Sequence, residues 1–235
     1  MRLSSVLAAS VVAAPLTLTA QATATPAAGP RVGILAGLSS STLSGSDVEG
    51  GNGIDKRRRN GFVGGLYVVL PVSGSPLSVR PELLYVQKGV RARTDFVTVP
   101  DVGGDVAGTV DVALKLDYLE LPVLLQFDVP ASAGLRPAVY AGPSVAYRVR
   151  CRTEASYAGA VESTSCDDTG NTGVSAPRRF DFSGVVGGQI GFALGGQSIG
   201  VGVRYTHGFT SIAPDGDVKN RTLSVYGALG LPFGR

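Results

Sequence analysis

The chain has 235 residues, 44% of them hydrophobic, with 33 glycines and a formal charge of +3. That is enough for one barrel-sized domain, and the charge is too mild and too dispersed for a nucleic-acid partner. One histidine and two cysteines, with no C-x-x-C pair, argue against a transition-metal site, and no cofactor is expected.

The N-terminus, MRLSSVLAASVVAAPLTLTAQATA, carries one basic residue at Arg2, then an apolar and small-residue run, then Ala20, Ala22 and Ala24 spaced for A-x-A cleavage. This is the layout of a secretory signal peptide, and Ser10, Pro15, Thr17 and Thr19 interrupt the run that a retained anchor would need. The reading is a signal peptide over 1–22, cleaved after Ala22 or Ala24, and one domain over 23–235. No cysteine follows the cleavage region, so a lipid-modified N-terminus is not available. No later apolar run is long enough for a spanning helix, so a membrane home would require strands.

Short-period alternation predicts eight strands, at 31–38, 60–72, 77–93, 110–128, 135–150, 180–194, 198–210 and 220–233. Between them 73–76, 129–134 and 195–197 are tight links, whereas 39–59, 94–109, 151–179 and 211–219 are long and polar. Short and long links alternate strictly. A transmembrane barrel does this when one rim carries periplasmic turns and the other longer extracellular loops.

The stretch DKRRRN places Lys56, Arg57, Arg58 and Arg59 at the outer end of the second strand. As guanidinium and ammonium groups they could contact an anionic surface such as lipopolysaccharide phosphates; the plainer reading is a solvated loop end. In the third strand, RPELLYVQKGVRAR, the residues Arg80, Glu82, Leu84, Val86 and Lys88 share one parity, and Leu83 and Tyr85 the other. The fourth strand, DVALKLDYLELPVLLQF, switches midway: Asp111, Lys115 and Asp117 share one parity, Glu120, Pro122 and Gln126 the other. A bulge near Tyr118 and Leu119 would return both sets to one face, and Pro122 is tolerable where the ladder is weak. A strand buried on both sides over Leu119–Leu125 is the alternative.

The fifth strand opposes Arg136, Tyr140, Ser144 and Arg148 to Leu135, Val139, Val145 and Val149; the seventh opposes Arg204 and two glycines to Ile199, Val201 and Val203. The long connection between the fifth and sixth strands holds Cys151 and Cys166, which in an oxidising exported compartment form a local disulfide stapling a loop. The positions opposite the apolar face are rich in Gly, Ala and Ser, broken by a few opposite charges. A cramped interior needs such a set; a wet outer wall would carry Lys, Glu, Thr and Asn. The charged face therefore points to the lumen. The expected lumen network is Arg80, Glu82, Lys88, Lys115, Asp117, Glu120, Arg136, Arg148, Asp181 and Arg204, with Gln126, Tyr140 and Gln189, filling the core.

NGFVGGLYVVLPV, LSVRPELLYVQKG, LDYLELPVLLQF, AVYAGPSVAYRV, VRYTHGFTSI and KNRTLSVYGALGLPF, in that order and spacing, resemble the small outer-membrane β-barrel proteins with porin-like barrel domains. The resemblance implies an all-β fold, an antiparallel transmembrane β-barrel of about eight strands, in the outer membrane of a Gram-negative-type bacterium. It also implies contact with outer-membrane lipid and lipopolysaccharide, with the barrel assembly machinery and periplasmic chaperones as partners during biogenesis, and a monomer. The chain departs from that pattern in two places: Phe233 is followed by Gly234 and Arg235, and with no Trp the aromatic girdle falls to Tyr and Phe.

Two further constellations carry chemically suggestive residues. His207 with Thr210 and Ser211 could mark an acyl hydrolase, but no acidic third member is identifiable, and an interfacial ring beside Phe209 is simpler. CDDTGNTG, 166–173, offers carboxylates for calcium but lacks the EF-hand pattern. The expectation is a non-enzymatic protein with a structural or surface-interaction role through its extracellular loops. The alternative is a narrow porin or a transporter of small solutes or apolar ligands.

Overall fold

The computed structural model describes residues 29–46, 55–98, 106–131, 134–157, 160–167, 176–194, 196–214 and 216–233. The predicted leader over 1–22 lies outside these residues. Nine strands follow in chain order: β1 (Arg31–Ser44), β2 (Asp55–Pro71), β3 (Leu77–Thr98), β4 (Val106–Asp128), β5 (Leu135–Tyr157), β6 (Ala160–Ser165), β7 (Phe180–Leu194), β8 (Gln197–Gly208) and β9 (Lys219–Pro232). Every pairing is antiparallel, and a β4–β5 ladder joins the ends of the order β4-β3-β2-β1-β9-β8-β7-β5 into a closed ring. Closure leaves the barrel without an unpaired edge, which strands in lipid require.

Alternation carries the barrel. On β3, Ser78, Arg80, Glu82, Leu84, Val86 and Lys88 are buried, while Val79 and Leu83 between them are exposed. Ile34, Leu66, Leu121, Val123, Leu125, Val186, Ile190, Val201 and Val225 are exposed in the same way on other strands. An apolar belt turned outward with arginine and glutamate turned inward is the reverse of a water-soluble barrel, and it fits lipid outside. Inside, Leu35, Val63, Val69, Leu84, Val86 and Leu124 pack with Tyr67, Tyr140 and Tyr226. The interior is narrow enough that a Cβ placed at Gly202 would run into the Tyr226 ring, and one at Gly187 into Tyr140.

The eight barrel strands match the predicted ones, but five continue past the expected outer ends. β1 runs to Ser44, β2 begins at Asp55, β3 ends at Thr98, β4 begins at Val106 and β5 ends at Tyr157. The long connection read over 151–179 in fact holds the end of β5 and the short strand β6, paired from Arg152↔Ser165 to Tyr157↔Ala160. Polar segments read as loops can extend a ladder above the membrane because neither face needs to be apolar there.

The expected bulge on β4 is on its neighbour. Asp117 pairs Arg150 and Tyr118 pairs Arg148, so Val149 is the extra residue and it lies on β5. Against β3, β4 keeps one register from Phe127 to Val106, interrupted without a shift beside Pro81 and Pro122. Its parity therefore never switches: Leu116, Tyr118, Glu120, Leu124 and Gln126 are buried on the inner side. A register shift between β2 and β3 lies between Arg58 and Val63, opposite Gly89, whose φ of 132° is open to glycine at little cost.

Candidate functional site: the filled lumen and the outer rim

Two charged layers cross the interior. In the first, Glu82 is shared by two arginines: Arg80 Nε lies 2.7 Å from Oε1, and Arg204 Nη2 donates to Oε1 at 2.9 Å and lies 2.7 Å from Oε2. Arg80 Nη1 also donates to Gln189 Oε1 at 2.7 Å and Gln126 Oε1 at 3.2 Å, and its guanidinium lies 4.4 Å from the Tyr67 ring centroid. Arg204 sits over the rings of Tyr140 and Tyr226, whose hydroxyls are 2.6 Å apart. In the second layer Lys88 pairs with Glu120 and lies 3.8 Å from Asp181 Oδ2, which accepts from Asn220 Nδ2 at 2.8 Å. Arg80, Lys88 and Asp181 are 0% exposed.

Three cations, Arg80, Arg204 and Lys88, thus meet three anions, Glu82, Glu120 and Asp181. The balance is not layer by layer, since the first has two cations to one anion and the second the reverse. Charges removed from water are tolerable only when paired in this way. At the periplasmic mouth a cavity of about 20 Å³ is lined by Arg31, Tyr67, Asp128, Arg136 and Gln189, space for about one water. Arg136 lies there, exposed, rather than within the filled core.

Lys115 and Asp117 are corrections to the lumen assignment. Lys115 pairs with Glu154 at 2.5 Å with about a third of its side chain exposed, and Asp117 takes a hydrogen bond from Tyr85. Both lie on the outward parity of β4, the parity opposite to Leu116 and Tyr118, although Asp117 is itself covered and buried there. The sequence misleads because charge marks the lumen only within the lipid band; above it the outward face is wet.

Arg148 is buried on the inner side, at the outer end, where it grips Asp167 with Nη2 to Oδ1 at 2.8 Å and Nη1 to Oδ2 at 3.3 Å. Its Nη2 also donates to Pro177 O at 3.1 Å. The guanidinium holds the Asp167 carboxyl below its ordinary range. Beside this clasp Cys151 and Cys166 are disulfide-bonded, with Cα atoms 5.3 Å apart, and Cys151 packs with Leu116, Tyr118, Ala146 and Ile212.

The basic run is strand, not loop. Lys56, Arg57 and Arg58 are exposed on β2, but Arg59 is buried and donates to Lys88 O, which removes it from any anionic surface. His207 packs edge-on against Phe209 with ring centroids 5.9 Å apart, and its Nδ1 is 3.4 Å from the Tyr205 hydroxyl. Ser211 Oγ lies 2.5 Å from Gly216 O and accepts from Ala213 N and Val218 N, so this hydroxyl builds the turn. Asp167 of the calcium candidate is engaged by Arg148, and 168–173 lie outside the described residues. Among the described residues no three His, Cys, Asp or Glu side chains converge as metal ligands.

The model of one family, described as outer membrane protein beta-barrel domain, matches residues 19–213. No curated protein sequence matches. Among solved structures, Neisserial surface protein A is 13% identical over 86% of this chain and 97% of that chain, with a TM-score of 0.43. OprG from Pseudomonas aeruginosa is 12% identical, covering 87% and 97%, with a TM-score of 0.42. Ail, the attachment invasion locus protein of Yersinia pestis, solved in complex with the heparin analogue sucrose octasulfate, is 15% identical, covering 86% and 99%, with a TM-score of 0.38.

Proposed function

Since the chain belongs to the outer membrane protein beta-barrel domain family and sits in the outer membrane of a Gram-negative bacterium, we propose that it is a non-enzymatic, non-conducting barrel whose exposed outer rim makes the functional contacts. The observation that carries this reading is the pair of charged layers. Glu82, Arg80 and Arg204, then Lys88, Glu120 and Asp181, close the interior with ion pairs and leave no wide aqueous path. The residues of the lumen are then structural. Activity falls to the upper parts of β2–β6 and the connections above them. The leader over 1–22 is removed on export, and the mature chain inserts as a monomer with the help of the barrel assembly machinery and periplasmic chaperones.

Planar-bilayer recording of the purified protein tests the reading. It expects no stable current at neutral pH. A steady, single-sized conductance from the monomer favours the narrow porin instead.

A further inference from the structure

The cavity at the periplasmic mouth is walled by hydrogen-bond donors. Arg31 from the start of β1, Arg136 from the start of β5, Tyr67 from β2, Gln189 from β7 and Ser198 from the start of β8 line it. Arg80 Nη1 reaches Gln189 at 2.7 Å, and because a guanidinium can only donate, the atom it meets is the amide oxygen. The Tyr226 hydroxyl lies 3.5 Å from the same oxygen, so what Gln189 has left to offer the cavity is its NH2 group. Tyr67 is 5% exposed, and its hydroxyl makes no hydrogen bond among the described residues. A Cβ placed at Gly230 would lie 2.9 Å from that hydroxyl and 2.6 Å from Ser198 Oγ, so both O–H groups flank one point of the wall.

Charge in the same wall is out of balance. Asp128 is the one acid among the lining residues, against the two cations Arg31 and Arg136. It engages them loosely: Oδ2 lies 4.0 Å from Arg31 Nη2, while Oδ1 accepts from Gln126 Nε2 at 2.7 Å. Arg31, whose side chain is 13% exposed, also faces the like charges of Arg136 and Arg80. Arg80 does not relieve this from above, because its own partner Glu82 is shared with Arg204. The lining therefore carries an excess of one positive charge. A water would offer these donors lone pairs alone; a monovalent anion offers lone pairs and the missing charge.

We propose that the periplasmic mouth is a binding site for one halide-sized monovalent anion such as chloride, held by Arg31, Arg136 and the hydroxyls of Tyr67 and Ser198. The volume of about 20 Å³ takes a single small sphere and is too small for a tetrahedral oxyanion. Bound there, the anion ties the starts of β1, β5 and β8 to β2 and closes the lower end of the plug that Glu82 and its arginines begin. The proposal goes beyond the outer-rim reading and does not rest on it.

Arg136 is exposed, so the site exchanges with solvent, and chlorine NMR of the purified protein in a zwitterionic detergent reads it. The chloride line should broaden well beyond that of protein-free micelles. Added bromide should narrow it again, and phosphate at the same ionic strength should not. R136Q, and Y67F, which keeps the ring beside Arg80 and removes only the hydroxyl, should each cut the excess several-fold. R221Q, at the outer end of β9, should leave it unchanged. Absence of excess broadening by the unaltered protein overturns the proposal, whether or not the variants fold. So does an excess that survives in either R136Q or Y67F with heat-modifiable gel mobility retained, an equal loss in R221Q, or displacement by phosphate as readily as by bromide.

Discussion

Glu82 on β3 and Arg204 on β8 meet through the middle of the barrel, Oε2 to Nη2 at 2.7 Å, although 122 residues separate them in the chain. No backbone ladder joins these two strands, so the contact is a strut across the ring. Its second anchor is Arg80, on the same strand as Glu82, with Nε 2.7 Å from Oε1, the oxygen that also accepts from Arg204.

Removing the shared anion should therefore cost more than removing one ordinary ion pair. E82Q leaves Arg80 and Arg204 buried without their counter-charge, and a loss of about 3–5 kcal/mol is expected. Urea unfolding in lipid vesicles, followed by gel mobility, measures it. Replacing all three with apolar residues of similar volume should restore much of the loss; a triple variant weaker than E82Q would show that the network is not governed by unpaired charge.

The tyrosines lean on glycines. A methyl group at Gly202 meets the Tyr226 ring, so G202A should destabilise the barrel by about 1–3 kcal/mol, as overpacking does. In combination with Y226A most of that increment should vanish, and the double-mutant cycle from the same unfolding assay reads the coupling. Additive losses would place the cost of G202A elsewhere.

The bridge between Cys151 and Cys166 spans a sequence separation of 15 and ties β5 to the end of β6. A loop of that size is restrained by about 3 kcal/mol in the chain-entropy picture, but the barrel ladder closes without it. Reduction, or C151S/C166S, should speed protease cutting between β5 and β7 several-fold and leave the temperature of the gel-mobility shift unchanged within a few degrees. A large fall in that temperature would assign the disulfide to the barrel itself.

The clasp between Arg148 and Asp167 has a defined pH window. The guanidinium lowers the Asp167 carboxyl from its ordinary value of 3.8, so the contact stabilises above that value and is lost as the pH falls through the lower, folded value. The fold around β6 should thus be indifferent between pH 5 and 8. Carbon NMR of the Asp167 carboxyl in micelles should show a midpoint below 3.8, returning towards it in R148Q. The same midpoint in both proteins would remove Arg148 as the cause.

The barrel was legible because lipid imposes a strict rule on each strand it touches. Leu83 and Tyr85 on one parity and Arg80, Glu82 and Lys88 on the other leave few ways to orient β3, and the structure places them outward and inward accordingly. Where lipid ends the rule ends too. Asp111, Lys115 and Asp117 carry charge on the outward parity above the band, which in one dimension looks like a change of parity on β4, whereas the irregularity is on β5 at Val149. Arg59 was out of reach for another reason. Its burial accompanies the register shift that faces Gly89, and a run of four basic residues does not show which of them is covered.

The strands also differ in height around the ring: β3, β4 and β5 have 22, 23 and 23 residues, whereas β7, β8 and β9 have 15, 12 and 14. A cylinder of even height is indifferent to rotation about the membrane normal. This one has a front and a back. Neighbours diffusing in the same leaflet meet a tall, ridged flank from one direction and a low, smooth one from the other, so crowding would select a preferred heading. Anything arriving from outside the cell would reach the raised flank before it reached the lipid.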